Sequence, residues 1–269
     1  MKTTTKNQPA ATYENTVFLT VAAYDDYESQ TIALRKSAAD HEIPLTLCDV
    51  GKPWQGFYHH KIEMMSEHLM KIRDERKRFA FILDSRDVVF IEHLDSIFKK
   101  FNALNDGRTI FNHDMPGAPW PSLKDYHCLA MEEAMGSEHV QLNAGMIAGD
   151  IETILKIHRH VMALRRELIE GRPRGGLLER LYQDIGTGHS DDDQYLYQVC
   201  MTYYPELFRI DYDKELFAVL MSYPKDLREH SDDPRRHDVI NNAAIIHSPW
   251  LSRDRSRWTD RVLQNRWMR

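Results

Sequence analysis

The stretch FAFILDSRDVVF, residues 79–90, carries the strongest chemical signal in the chain. An apolar, strand-like run ends at Asp84, and Ser85, Arg86 and Asp87 follow. In open α/β sheets, ligands gather at the carboxyl ends of strands. Two carboxylates three residues apart on a turn can converge on one hard cation, and Mn2+ and Mg2+ both prefer oxygen ligands. Such a cation bridges diphosphate oxygens and offsets the charge that grows as a nucleotide leaves. The same four residues would also make an ordinary surface turn with Asp84 as a cap. A second signal is HSPW, residues 247–250, after the apolar run AAII. An imidazole at a strand end can complete a mixed carboxylate–histidine metal site, although a lone histidine is often only a satisfied side chain.

Two further clusters accompany these. In GTGHSDDDQYLYQ, Ser190 is placed to cap a helix whose first turn holds Asp191, Asp192 and Asp193, with Gln194 next. Acidic residues in a first turn complement the helix dipole. Three in a row also repel one another, so the cluster asks for a partner cation or a polar substrate. In LNAGMIAG, Asn143 and Gly145 interrupt an apolar strand. A glycine there permits close approach of a ligand and an amide can bond sugar hydroxyls; the alternative is a bulge or tight bend.

The elements that must position these residues follow from periodicity. Residues 17–22, 45–50, 79–83, 88–91, 108–111, 140–148, 207–210 and 243–246 read as short buried strands. Residues 29–40, 61–78, 93–103, 151–169 and 190–203 read as helices, the second amphipathic through Ile62, Met65, Leu69 and Ile72. Strands alternating with helices imply an open, mainly parallel α/β sheet. Residues 112–127 (Pro116, Pro119, Pro121, Trp120) read as an irregular loop, and 171–176 (GRPRGG) as a basic turn. The expected organisation is a polar N-terminal lead over 1–16, one domain over 17–250 and an Arg-rich tail over 251–269.

The chain has neither a Walker A run nor GxGxxG, so a metal is the more plausible holder of a diphosphate than a glycine cradle. A net charge of −6 is no footprint for tight nonspecific nucleic-acid binding. Three scattered cysteines without a CxxC pair fit free thiols in a reducing compartment, with Cys48 and Cys200 packed rather than reactive. No apolar run approaches a membrane span and the first residues lack a signal-like apolar stretch, so the expectation is a cytoplasmic protein (host-cell cytoplasm for a viral one) with no membrane partner.

The order FLTVAAY, Trp54-x-Gly56 followed by Lys61, DSRD, NAG, DDDQ and a late histidine resembles the glycosyltransferase domain of the procollagen lysyl hydroxylase family, and more distantly glycogenin-like retaining transferases. The resemblance implies a GT-A-type, Rossmann-like mixed and mostly parallel sheet flanked by helices, and a hexosyltransferase using a UDP-sugar. It implies that Asp84, Asp87 and His247 ligate Mn2+ (or Mg2+) with the donor diphosphate. By the same resemblance Thr20, Val21 and Ala22 hold the uridine with Trp54 nearby, and Ser85 lies in the donor site. Lys61 approaches the diphosphate or donor sugar, Asn143 and Gly145 line that sugar, and Asp192, Asp193 and Gln194 sit by the anomeric carbon and acceptor. Arg86 stands where the family has an aromatic residue, and Phe57, Tyr58, His59 and His60 precede Lys61 where it has a glycine-rich stretch. Neither the donor sugar nor a collagen acceptor carries over. The hydroxyl acceptor is protein hydroxylysine, a glycan or a hydroxymethylated base in viral DNA, and the oligomeric state is open. The competing readings are a silent nucleotide-sugar-binding module and a haloacid-dehalogenase-like phosphohydrolase; the latter wants D-x-D spacing, which Ser85–Arg86 breaks.

Overall fold

The computed structural model describes residues 9–113, 141–171, 179, 190–219 and 242–247. The expectations for residues 1–8, for the loop over 114–127, for most of the GRPRGG turn, for the tail over 251–269 and for Cys128 lie outside the described residues.

A six-stranded sheet is built from β1 (Thr16–Val21), β2 (Leu45–Cys48), β3 (Phe79–Leu83), β5 (Thr109–His113), β6 (Leu142–Asp150) and β7 (Phe208–Asp211), in the order β2-β1-β3-β6-β5-β7. β1 runs parallel to β2 and β3, and β5 runs parallel to β7. β6 is antiparallel to both β3 and β5, so five strands share one direction and one is reversed. This is the mixed, mostly parallel α/β sheet expected from the sequence. A second sheet orders β4 (Val88–Phe90), β9 (Ile245–His247) and β8 (Phe217–Val219).

The strands that looked uniformly apolar resolve into a period-two alternation between two cores. Leu19, Val21, Ala80 and Ile82 face one side, where α3 (Met65–Asp74), α5 (Ile151–Ile169) and α6 (Asp193–Tyr203) cover them. Phe18, Phe79, Phe81 and Leu83 face the other, against α2 (Ile32–Asp40) and α4 (Leu94–Leu104). A sheet covered on both faces needs apolar residues at every position. Each fully buried phenylalanine contributes about 1.5–3 kcal/mol. Cys48 and Cys200 are packed in the first of these cores, and burial pushes the Cys48 thiol up to about 12.

Several elements differ from the sequence expectation. Residues 29–40 split into α1 (Tyr27–Gln30) and α2 at Thr31, whose backbone leaves the helical region (φ −104°, ψ 5°). The helix expected over 61–78 begins as a π-helix, His59–Met64, and α3 ends at Asp74. It stops because Arg76 enters the left-handed region, φ 67°, so that the chain can turn into β3. α6 is capped by Asp192, whose carboxylate accepts the Tyr195 amide at 2.9 Å, rather than by Ser190. The end of the supposed lead is fastened: Ala11 and Asn102 exchange two hydrogen bonds, and the Asn15 carbonyl takes the Arg78 and Phe79 amides. Strand β8 was not foreseen, since three residues are too few to show a period. Among the described residues no helix is long and apolar enough to cross a membrane.

Candidate active site

The ends of β1 and β3 meet where β3 stops short of its neighbour. The Thr20 hydroxyl donates to the Leu83 carbonyl, and the Asp84 amide donates to the Gly145 carbonyl at 2.8 Å. The chain then turns through Ser85, Arg86 and Asp87 into β4. Its register sets Val88 opposite His247 on β9, so residues 159 positions apart become neighbours by strand pairing alone. His247 Nε2 lies 3.6 Å from an Asp84 carboxylate oxygen and 3.4 Å from one of Asp87. One ligand atom from each of the three residues lies within 4.8 Å of the others. Burial alone would lower the His247 pKa; the Asp87 and Asp84 carboxylates outweigh it and raise it above its ordinary value. Two carboxylates and one imidazole are a donor set suited to Mn2+ or Mg2+. The fit has one further mark: the His247 ring is buried, and the partners of Nε2 among the described residues are these two carboxylates.

β6 bulges beside this group. β5 pairs Phe111 with Ile147 and then Asn112 with Asn143, which leaves residues 144–146 unmatched on that side. Bulges next to active sites re-aim side chains, and a buried bulge must still satisfy its backbone. Here the functional residues do so. The Ala144 amide donates to Gln194 Oε1 and the Ala144 carbonyl accepts from Lys61 Nζ at 3.1 Å. The Gly145 amide donates to Asn143 Oδ1, and its carbonyl takes the Asp84 amide. The space left by the missing side chain of Gly145 is filled by the His247 imidazole.

Lys61 is buried between two carboxylates, 2.7 Å from Asp84 and 2.7 Å from Asp193. Burial pulls the ammonium pKa down, but Asp193 and Asp84 outweigh it and hold it above its ordinary value. The π-helix explains the placement. Its wider turn lets three successive residues, His60, Lys61 and Ile62, all be buried, and such turns are frequent at functional sites. The triple aspartate divides its work. Asp191 pairs with Arg165 at 2.6 Å, Asp192 caps α6, and Asp193 faces Lys61. Arg165 also donates to the Ser190 carbonyl and lies on the Tyr58 ring, while the Tyr58 amide donates to the Asp191 carbonyl.

Beyond the strand ends stands a ladder of flat groups. The Arg86 guanidinium lies 4.1 Å from the centre of the Tyr24 ring, Tyr24 stacks on Trp54, and Trp54 stacks on His60. His60 contacts the buried Asp49 carboxylate, which also holds Lys52 and His68. Ser85 donates to the Tyr24 hydroxyl at 3.3 Å. Thr20, Val21 and Ala22 are buried, and the Ala22 amide and carbonyl bond to Cys48 and Tyr24 within the chain. The ladder, more than that backbone, presents surface here.

The family described as the PLOD GT domain matches residues 12–164. The chain belongs to this family. It is thus a glycosyltransferase domain of the lysyl hydroxylase type, and sugar transfer is its class of activity. No curated protein matches it. Among solved structures it is similar to a glycosyltransferase involved in the glycosylation of the major capsid of PBCV-1, at 12% identity and a TM-score of 0.47, over 93% of this chain and 98% of that one. In this PLOD GT domain the matched span holds Lys61, Asp84, Asp87, Asn143 and Gly145. Asp193 and His247 lie beyond it, and the α6 N-terminus and the β4–β9 register bring them in. Arg165 and the Asp49 cluster were missed from sequence, and no spacing signal marks them; Tyr24 closes the FLTVAAY run but was given no role.

Proposed function

We propose that the protein moves a hexose or related sugar from a UDP-sugar to a hydroxyl acceptor, with retention, using a divalent cation bound by Asp84, Asp87 and His247. The observation that supports this most is the convergence of those three residues, with a buried imidazole nitrogen facing two carboxylates. When bound, the cation supplies Lewis-acid stabilisation of diphosphate oxygens.

The chain's own residues then have distinct tasks. Lys61, kept charged by its neighbours, adds a fixed positive charge beside the leaving diphosphate. The base stacks on the outer face of the Arg86 guanidinium at the exposed end of the ladder, with Tyr24 and Trp54 behind it and the 20–22 strand end as floor. A guanidinium offers a flat cationic face to a ring as an aromatic residue offers a flat neutral one. Arg86 thus takes over the stacking role of the aromatic it replaces. Ser85 steadies Tyr24. Of the two carboxylates left open by the sequence, Asp193 is the one that faces the site, since Asp192 is engaged as a cap. Asp193 offsets the positive charge that develops at the anomeric carbon. Burial raises its pKa while Lys61 opposes the rise. Gln194 holds the bulge and so sets the height of α6 over the site. The acceptor hydroxyl attacks from the face the diphosphate leaves, and a diphosphate oxygen takes its proton.

The test is UDP release across a donor panel, with Mn2+ and with chelator, for wild type and Asp84→Asn. Metal-dependent release in wild type, lost by at least about 100-fold in the variant, is expected for a ligand of this kind. Full activity in Asp84→Asn overturns the assignment, and UDP binding without turnover would make the protein a nucleotide-sugar-binding module. Mass spectrometry against hydroxylysine peptides, glycans and hydroxymethylated DNA then identifies the acceptor.

A further inference from the structure

The bulge does more than bend a strand. Asn143 Oδ1 accepts from two donors, the Gly145 amide at 2.9 Å and His247 Nδ1 at 2.9 Å. The Gly145 N–H settles which end of the Asn143 amide points this way, because only the oxygen can accept it. An amide oxygen cannot donate, so the ring nitrogen facing it must carry the hydrogen. In the neutral ring the other nitrogen, Nε2, then holds its lone pair. That nitrogen is buried and faces Asp84 at 3.6 Å and Asp87 at 3.4 Å. The ring can stand there only because residue 145 has no side chain: a Cβ would overlap Cε1 and Nδ1.

We propose that Asn143 is a positioning residue that fixes the tautomer and orientation of His247, and that Gly145 provides the space for its ring, so that Nε2 presents its lone pair to a cation held with Asp84 and Asp87. This rests on the metal-site reading above and assigns Asn143 and Gly145 to the metal rather than to the donor sugar. The bulge thereby ties the metal group to the other half of the site, since Lys61 and Gln194 are bonded to Ala144 within the same three residues.

The experiment uses the full chain and two readouts other than turnover. Mn2+ uptake is followed by loss of the free-ion electron paramagnetic resonance signal, with and without UDP. The His247 tautomer is read in metal-free protein from long-range 1H–15N spectra at a pH where the ring is neutral. Wild type should show the Nδ1–H form. Asn143→Ala should lose that bias and weaken Mn2+ uptake by about 10–100-fold, the usual effect of removing a partner of a ligating histidine. Asn143→Asp keeps an acceptor and should retain both tautomer and uptake. Gly145→Ala should weaken uptake independently by displacing the ring. Thermal unfolding of each variant shows whether it is folded, and Asn143→Asp and Gly145→Ala keep the test open if Asn143→Ala is not. An Nε2–H tautomer in wild type, or equal uptake by wild type and folded Asn143→Ala, overturns the inference alone. Wild type that takes up no Mn2+ even with UDP overturns the metal reading and this one with it.

Discussion

Lys61 shows how closely charge is balanced at the residue scale. One ammonium stands between Asp84 and Asp193, and the Ala144 carbonyl takes a third hydrogen. Removing one partner of a buried ion pair costs about 3–5 kcal/mol, because the other charge is left uncompensated. Asp84 is a quarter exposed, so Lys61→Met should cost about 3 kcal/mol, the lower end of that range. Urea unfolding measures this; a loss below about 1 kcal/mol would mean that water already screens the pair. Asp84, Asp87 and His247 were legible in the sequence because a carboxylate or imidazole just after an apolar run falls at a strand end, where ligands collect. The division of labour among Asp191, Asp192 and Asp193 was not legible. Adjacent residues of one type look alike until the helix start is fixed, and that start lay two residues later than a Ser190 cap implied. The stacking part played by Tyr24, the last residue of FLTVAAY, was not legible either, since one tyrosine after a strand has no pattern of its own.

At the scale of elements, the site depends on how α6 and the π-helix are held against β6 and α5. A buried chain of hydrogen bonds links them. The Tyr197 hydroxyl and His158 Nε2 lie 2.8 Å apart, His158 Nδ1 and Ser66 Oγ 2.7 Å apart, and Ser66 donates to the Ile62 carbonyl, beside Lys61. Burial lowers the His158 pKa to about 3, so the ring is neutral. The unfolded chain binds a proton at its ordinary histidine pKa, well above that. The contribution of His158 to stability is therefore complete above about pH 6.5 and is lost as pH falls towards 3, at about 1.4 kcal/mol per unit. The stability difference between wild type and His158→Gln should change with that slope between pH 6 and 4. A difference independent of pH would contradict a buried neutral ring. The clamp on the aspartate turn behaves differently. Arg165 and Asp191 are partly exposed, so Arg165→Ala should cost no more than about 1 kcal/mol of stability. It should nevertheless lower kcat by freeing the turn that leads to Asp193, with little change in the KM for donor. A fall in stability that accounts for all the lost activity would make Arg165 merely structural. The helices and most strands were readable from period. The π turn and the reversed β6 were not, because each follows from packing between distant segments rather than from local propensity. The bulge was one of the two readings that Asn143 and Gly145 allowed.

At the scale of the whole molecule, the sheets and the cores packed on them bring one end of β3, one end of β9 and the start of α6 to a common point. A ligand that binds only the folded form stabilises it by mass action, by about 2.7 kcal/mol at a hundred times its Kd. Mn2+ with UDP should therefore raise Tm by roughly 5–10 °C at such concentrations. The rise should vanish with chelator and be absent in Asp84→Asn; an equal rise in that variant would place the ion elsewhere. The direct test of the central claim is anomalous X-ray scattering from crystals grown with Mn2+ and UDP. The account predicts one manganese peak within bonding distance of Asp84, Asp87 and His247 Nε2. A peak at another site, or His247 turned away from an occupied Asp84–Asp87 pair, would contradict it.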